Sequence, residues 1–160
     1  MDSTSDKEDR DKGDRAGNGV ALGMLTELLG YHLRRAQVAV FQHFTQTTGA
    51  AEITPGQFGV LTVIDSNPGL SQTQLGNALG IDRSTVVAVI DRLESRGLVT
   101  RAVSPSDRRS HALRLSDEGT RLLRRLEELV RAHERHIARD LTAEEKQHLI
   151  ELLDRIARRD

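Results

Sequence analysis

The chain has 160 residues, 37% hydrophobic, 29% charged and 2% aromatic, with no cysteine and no tryptophan. That length suits one compact domain with helical arms. The missing thiols exclude a disulfide scaffold, a cysteine nucleophile, a thiolate metal site and thiol redox sensing. The longest aliphatic run, Val86–Ile90, is far short of the roughly 18 residues a membrane span needs. The first twenty residues are polar and acidic where a secretory signal would be apolar, so a cytoplasmic location without membrane attachment is expected.

The net charge of −1 conceals a polarised distribution. Residues 1–20 hold six carboxylates against four cations, a net of −2. Residues 83–114 hold seven arginines against Asp91, Glu94 and Asp107, a net of +4. A local basic surface is what contact with phosphate requires, and whole-chain charge is a poor guide to it. Of the 23 basic residues, 20 are arginine, whose planar fork suits bidentate contacts to phosphate and guanine.

Taken in order, residues 1–19 alternate charges among Ser, Gly and Asn and are expected to form a disordered acidic tail. Gly17-Asn18-Gly19 is no dinucleotide fingerprint, because the third glycine falls late, at Gly23, and no strand precedes it. From Val20 to about Thr48 the residues Leu22, Leu25, Leu29, Leu33, Ala36, Val40 and Phe44 recur at helical spacing. One long helix over 20–48 is therefore expected. Thr54-Pro55-Gly56-Gln57 is a capping box opening a second helix, which ends at Asn67-Pro68-Gly69. Ser71-Gln72-Thr73-Gln74 opens a third, closed by Gly80, and Asp82 caps a fourth that runs to about Arg96 before Gly97. Helix, tight glycine turn, helix is a helix-turn-helix arrangement. Residues 98–103 and 111–115 alternate as strands around a Ser104–Ser110 turn, a hairpin with a basic tip. Ser116 caps a helix from Asp117 to about Arg139, with a stripe of Leu122, Leu123, Leu126, Leu129, Val130, His133 and Ile137. Thr142 to Glu145 is a further capping box, and Leu149, Ile150, Leu152, Leu153 and Ile156 form the last apolar face.

The segments Leu75–Gly80, Asp82–Val87, Asp91–Val99 and above all Ser106-Asp107-Arg108-Arg109-Ser110, in this order of elements, resemble the MarR family of transcription regulators. The resemblance spans about Val20 to Ile156. It implies a mainly α fold with a small β-hairpin wing. It divides the chain into a tail (1–19), an N-terminal dimerisation helix (20–48), a winged helix-turn-helix domain (49–116) and C-terminal dimerisation helices (117–160). It implies a homodimer on palindromic double-stranded operator DNA, a repressor released by a small aromatic carboxylate or aromatic acyl-CoA in aromatic catabolism. Val86, Val89, Ile90 and Leu93 define a buried face of the fourth helix, and Ser84, Thr85, Ala88, Asp91, Arg92 and Ser95 the opposite one. The expected DNA contacts are Ser71, Gln72, Arg83, Ser84, Thr85, Val87, Ala88 and Arg92, with Thr85 and Val87 placed to touch a thymine methyl. Arg108 and Arg109 at the wing would enter the minor groove. Ala88 departs from the family habit of a longer polar residue there.

By the same resemblance, effectors lie in a crevice lined by the first two helices. Tyr31, His32, Arg34, Arg35, Phe41 and Phe58 then supply aromatic walls and cations for an aromatic acid or a thioester with its phosphates. His133-Glu134-Arg135-His136 sets two imidazoles one turn apart without zincin spacing or a thiolate. These are expected on a solvent-facing part of the helix, with no metal or cofactor. No nucleophile elbow, phosphate loop or carboxylate pair suggests an enzyme. The competing readings are a winged-helix module that binds protein rather than DNA, and a metal-responsive regulator of the same fold.

Overall fold

The computed structural model describes residues 19–103 and 111–158, without the side chains of Val103 and His111. The expected tail and the wing turn, with Asp107, Arg108 and Arg109, lie outside the described residues. The chain divides into two compact units, Met1–Gln42 and His43–Asp160.

In the first unit the expected helix over 20–48 is divided. A 3₁₀ turn, Gly23–Glu27, is followed by Leu28 in extended conformation (φ −90°, ψ 118°), and only then does α1 (Leu29–Thr48) begin. The Thr26 hydroxyl donates to Gly23 O (3.1 Å), and His32 Nε2 donates to Thr26 O (2.8 Å). These local bonds give the backbone an alternative to the helical ladder. Val20, Met24, Leu25, Leu28 and Leu29 are all exposed in the single chain.

The second unit contains the end of α1 and the elements α2 (Pro55–Ser66), α3 (Gln72–Leu79), α4 (Arg83–Ser95), β1 (Val99–Val103), β2 (His111–Leu115), α5 (Asp117–Ile137) and α6 (Ala143–Ala157). Thr54 and Gln57 exchange reciprocal bonds at the start of α2, as Ser71 and Gln74 do at α3 and Thr142 and Glu145 at α6. These capping boxes satisfy amides that a helix start would otherwise leave unpaired. Gly80 takes a left-handed φ of 64°, which turns the chain from α3 toward α4. The antiparallel hairpin pairs Val99 with Leu115 and Arg101 with Leu113. Beside it, Gly69 N donates to Leu113 O (2.8 Å) and Leu113 N to Leu70 O (2.9 Å), so the loop after α2 covers the outer edge of β2.

The core is built from Val60, Leu61 and Ile64 of α2, Leu75 of α3, Val86, Ile90 and Leu93 of α4, the hairpin's Val99 and Leu113, and Leu123 and Leu126 of α5. The start of α5 is fastened to the end of α4. Ser116 Oγ donates to Gly97 O (2.6 Å) and Ser116 N to Leu98 O (3.0 Å). A Cβ on Gly119 would stand 2.0 Å from Leu98 O, so only glycine admits this approach. By contrast, Leu149, Ile150, Leu152, Leu153 and Ile156 of α6 are exposed in the single chain. Among the described residues no helix is long and apolar enough to cross a membrane.

Candidate nucleic-acid interface

The outer face of α4 is set by its cap. Asp82 Oδ1 accepts from Thr85 N (2.9 Å) and from the Ser84 hydroxyl, and Oδ2 accepts from Thr85 Oγ1 (2.6 Å). The Ser84 hydroxyl, then the Thr85 hydroxyl and amide, hold the Asp82 carboxyl far below its ordinary range. Asp82 is therefore an anion at the helix N-terminus, where the dipole favours one. With their protons committed to Asp82, Ser84 and Thr85 offer a DNA base or phosphate only acceptor lone pairs and, from Thr85, a methyl group.

Val86, Ile90 and Leu93 are buried, while Arg83, Ser84, Thr85, Val87, Ala88 and Arg92 are exposed. The expected DNA-facing residues of α4 thus share one solvent surface. Ser71 and Gln72 stand half-buried at the start of α3, with Ser71 Oγ occupied as a cap by the Gln74 amide (3.2 Å).

Two carboxylates, Asp91 and Glu94, also lie on α4 and would repel phosphate. Arg101, reaching across from β1, pairs with both and offsets one of their two charges. Its Nη1 lies 2.6 Å from Glu94 Oε2 and its Nη2 bonds Asp91 Oδ1, with the arginine side chain only 20% exposed. The buried Nε of Arg101 has no hydrogen-bond partner, so among the described residues the two ion pairs hold the guanidinium. Arg96 is also consumed internally, donating to Ala51 O (2.9 Å) and Glu52 O (2.8 Å). Of the arginines that made residues 83–114 look basic, Arg83, Arg92 and Arg114 are exposed among the described residues. Arg101 escaped sequence reasoning because its partners are fixed by the hairpin. The available signal was the i, i+3 carboxylate pair on a helix otherwise free of acids.

In the first unit, Arg35 Cζ stands 5.6 Å from the centre of the Tyr31 ring, and the Tyr31 and His32 rings meet edge to face at 5.5 Å. Arg34 Nη1 donates to Gln37 Oε1 (3.1 Å), and these two with Gly30 and Leu33 line a shallow depression of about 430 Å³. Phe41 is 47% exposed. In the second unit, Phe58 is half-buried, packs on the core and lies 6.2 Å from the Phe44 ring.

Residues 51–110 match the model of the MarR family. A Thauera aromatica protein described as the transcriptional regulatory protein for the hcr operon is 42% identical over 139 residues, covering 86% of this chain and 84% of the relative. The solved structure of the transcriptional repressor CouR bound to a 23-mer DNA duplex matches with TM-score 0.82 at 45% identity, covering 87% of this chain and 99% of that one. CouR bound to p-coumaroyl-CoA matches with TM-score 0.81 at 41% identity, over 88% and 99% of the two chains. The PcaV regulator of Streptomyces coelicolor, in complex with its natural ligand, matches with TM-score 0.78 at 35% identity, over 86% and 96%.

Proposed function

The chain belongs to the MarR family, and from that premise we propose that it is a homodimeric transcriptional repressor, released from a palindromic operator by an aromatic carboxylate or aromatic acyl-CoA. The observation that carries the DNA reading is the outer face of α4. Small side chains at Ser84, Thr85 and Ala88 let the helix approach base edges, Arg83 and Arg92 flank them, and Arg101 halves the negative charge of Asp91 and Glu94. Thr85 and Val87 supply apolar contact to thymine methyls, and Arg83 and Arg92 take phosphates or guanine. Ser71 and Gln72 at the start of α3 add backbone contacts to the duplex, and Arg108 and Arg109 of the wing enter the neighbouring minor groove. Two copies of α4 then read half-sites about one helical turn, roughly 34 Å, apart. The chain acts by binding and release, as a regulator rather than an enzyme.

The dimer is supported by the apolar surfaces of 20–29 and of α6, which one chain leaves uncovered. The effector class is supported by the aromatic and cationic residues of α1 and by the ligands of CouR and PcaV. Tyr31, His32, Arg34, Arg35 and Phe41 are the proposed effector residues: ring faces for an aromatic acyl group, guanidinium groups for a carboxylate or the phosphates of a thioester. Phe58 serves the core. An effector can shift the operator equilibrium only by binding the DNA-competent and DNA-incompetent arrangements with different affinities, so operator must weaken effector binding by the same factor. The test is operator release titrated with p-coumaroyl-CoA and with free aromatic acids, on the parent and on Arg34→Ala and Arg35→Ala. We expect release by at least one of these compounds at concentrations where an unrelated thioester has no effect, with a weaker response in the variants. No release, or variants that respond like the parent, would refute the effector assignment.

A further inference from the structure

The end of α1 and the end of α5, both within the second unit, bring three imidazoles together. His43 Nδ1 lies 2.7 Å from His133 Nδ1. The His43 ring stacks on His136 at 3.9 Å and 7°, and stands 5.0 Å from His133 at 21°. His133 is 3% exposed and meets the Phe44 ring edge-on at 5.5 Å, so the expectation of a solvent-facing His133 is corrected: the stripe of α5 turns it inward. Rings stacked face to face direct their in-plane lone pairs side by side rather than to a common point. Among the described residues no group of three or more His, Cys, Asp or Glu is arranged to hold a metal.

A contact of this length between two Nδ1 atoms holds one proton, with one ring as donor and the other presenting a bare lone pair. A second proton at this contact opposes two N–H groups and turns the accepting ring into a cation against its stacked neighbours. The neighbouring charges do not remove this conflict. Glu134 favours protonation of His133, but Lys146 Nζ of α6 lies 3.1 Å from Glu134 Oε2 and offsets it. Arg139 Nη1 lies 3.1 Å from His136 Nε2 and opposes protonation there, while Asp140, paired with Arg139, favours it. From α1 the group facing the cluster, besides His43 itself, is Thr47, whose hydroxyl proton is spent on His43 O (2.8 Å).

We propose that His43, His133 and His136 form a proton-operated latch between the last turns of α1 and α5, and that acidification opens it and lowers operator affinity. Burial, then the neighbouring His43, holds His133 below the ordinary histidine value, and His136, exposed but stacked on His43, is shifted the same way by the water that stacking excludes and by His43. For a depressed histidine the folded state binds fewer protons than the unfolded chain. The stabilisation is therefore complete above the ordinary value, about 6.5, and is lost as pH falls toward the folded one. The effect on operator affinity rests on the repressor reading; the latch itself does not.

The experiment follows the imidazole Cε1–H resonances, thermal melting and operator affinity of the full chain from about pH 8 to about pH 5.5. It compares the parent with His43→Asn, which keeps a short hydrogen-bonding group but does not titrate, and with His136→Gln at the exposed position. We expect His133 and His136 to protonate below about pH 6.5 in the parent and closer to that value in His43→Asn. The parent should lose about 3 °C more in Tm than His43→Asn over the range, and about tenfold more operator affinity. His136→Gln should fall between them. Imidazoles that titrate independently at the ordinary value, or a His43→Asn variant that melts with the parent's pH dependence, would overturn the latch. Equal pH profiles of operator affinity in parent and variant would overturn its coupling to DNA. If no variant, nor the parent, binds duplex DNA at about pH 8, the repressor reading fails while resonances and melting still decide the latch.

Discussion

Helices α4 and α6 are similar in length, 13 and 15 residues, and both carry an apolar stripe, yet their stripes end in opposite circumstances. Val86, Ile90 and Leu93 of α4 are no more than 1% exposed, while Leu149, Ile150, Leu152, Leu153 and Ile156 of α6 are 36–50% exposed. The first stripe is completed inside one chain, which frees the opposite face for recognition. The second is left to a partner. One helix therefore contributes mainly to the stability of the protomer, the other to the proposed assembly.

That contrast can be broken at either end. The largest effect on folding is expected from Ile90→Ala, which opens a cavity in a fully buried site and should cost about 2–5 kcal/mol. Chemical denaturation checks it, with a reduced midpoint at unchanged m value. Leu153→Asp, on the exposed stripe of α6, should leave the midpoint of the winged unit nearly unchanged but convert the dimer to monomer in sedimentation, with loss of high-affinity operator binding. A monomeric parent would remove α6 from the proposed assembly.

The smallest of the three effects is expected on the outer face of α4. Arg101→Gln should weaken operator binding by about tenfold, because a lost neutralising partner leaves two carboxylates facing phosphate. Adding Asp91→Asn and Glu94→Gln should restore most of that loss. If Arg101 instead contacted phosphate directly, the triple variant would stay weak and the slope of log affinity against log salt would fall by about 1.8, about 0.9 for each protomer of the dimer. Titration of duplex operator at several salt concentrations distinguishes these outcomes.

The parts legible in the sequence are those with short-range causes. Thr54, Ser71, Asp82, Ser116 and Thr142 each cap a helix through side-chain bonds reaching no more than three residues ahead. The buried and exposed faces of α4 followed from a 3.6-residue period. The interruption at Leu28 did not, because periodicity reports which residues share a face, and Leu25 and Leu29 keep that spacing whether or not the backbone between them is helical. Arg101 with Asp91 and Glu94, and His43 with His133, depend on how separate elements dock; the i, i+3 carboxylate pair of α4 pointed to a cation beside it, but not to which one. Phe58, read from the sequence as a wall for a ligand, packs on the core, since an aromatic residue beside an apolar stripe satisfies either reading.

The fastening of Ser116 and Gly119 to Gly97 and Leu98 gives α5 a mechanical character. With a backbone carbonyl lodged against its first turn, and Leu123 and Leu126 seated in the core, the helix is clamped over its first half. A helix of 21 residues is about 30 Å long. Any displacement of its far end, where His133 and His136 sit, must therefore bend the helix or repack that core, so α5 is a beam set in a wall.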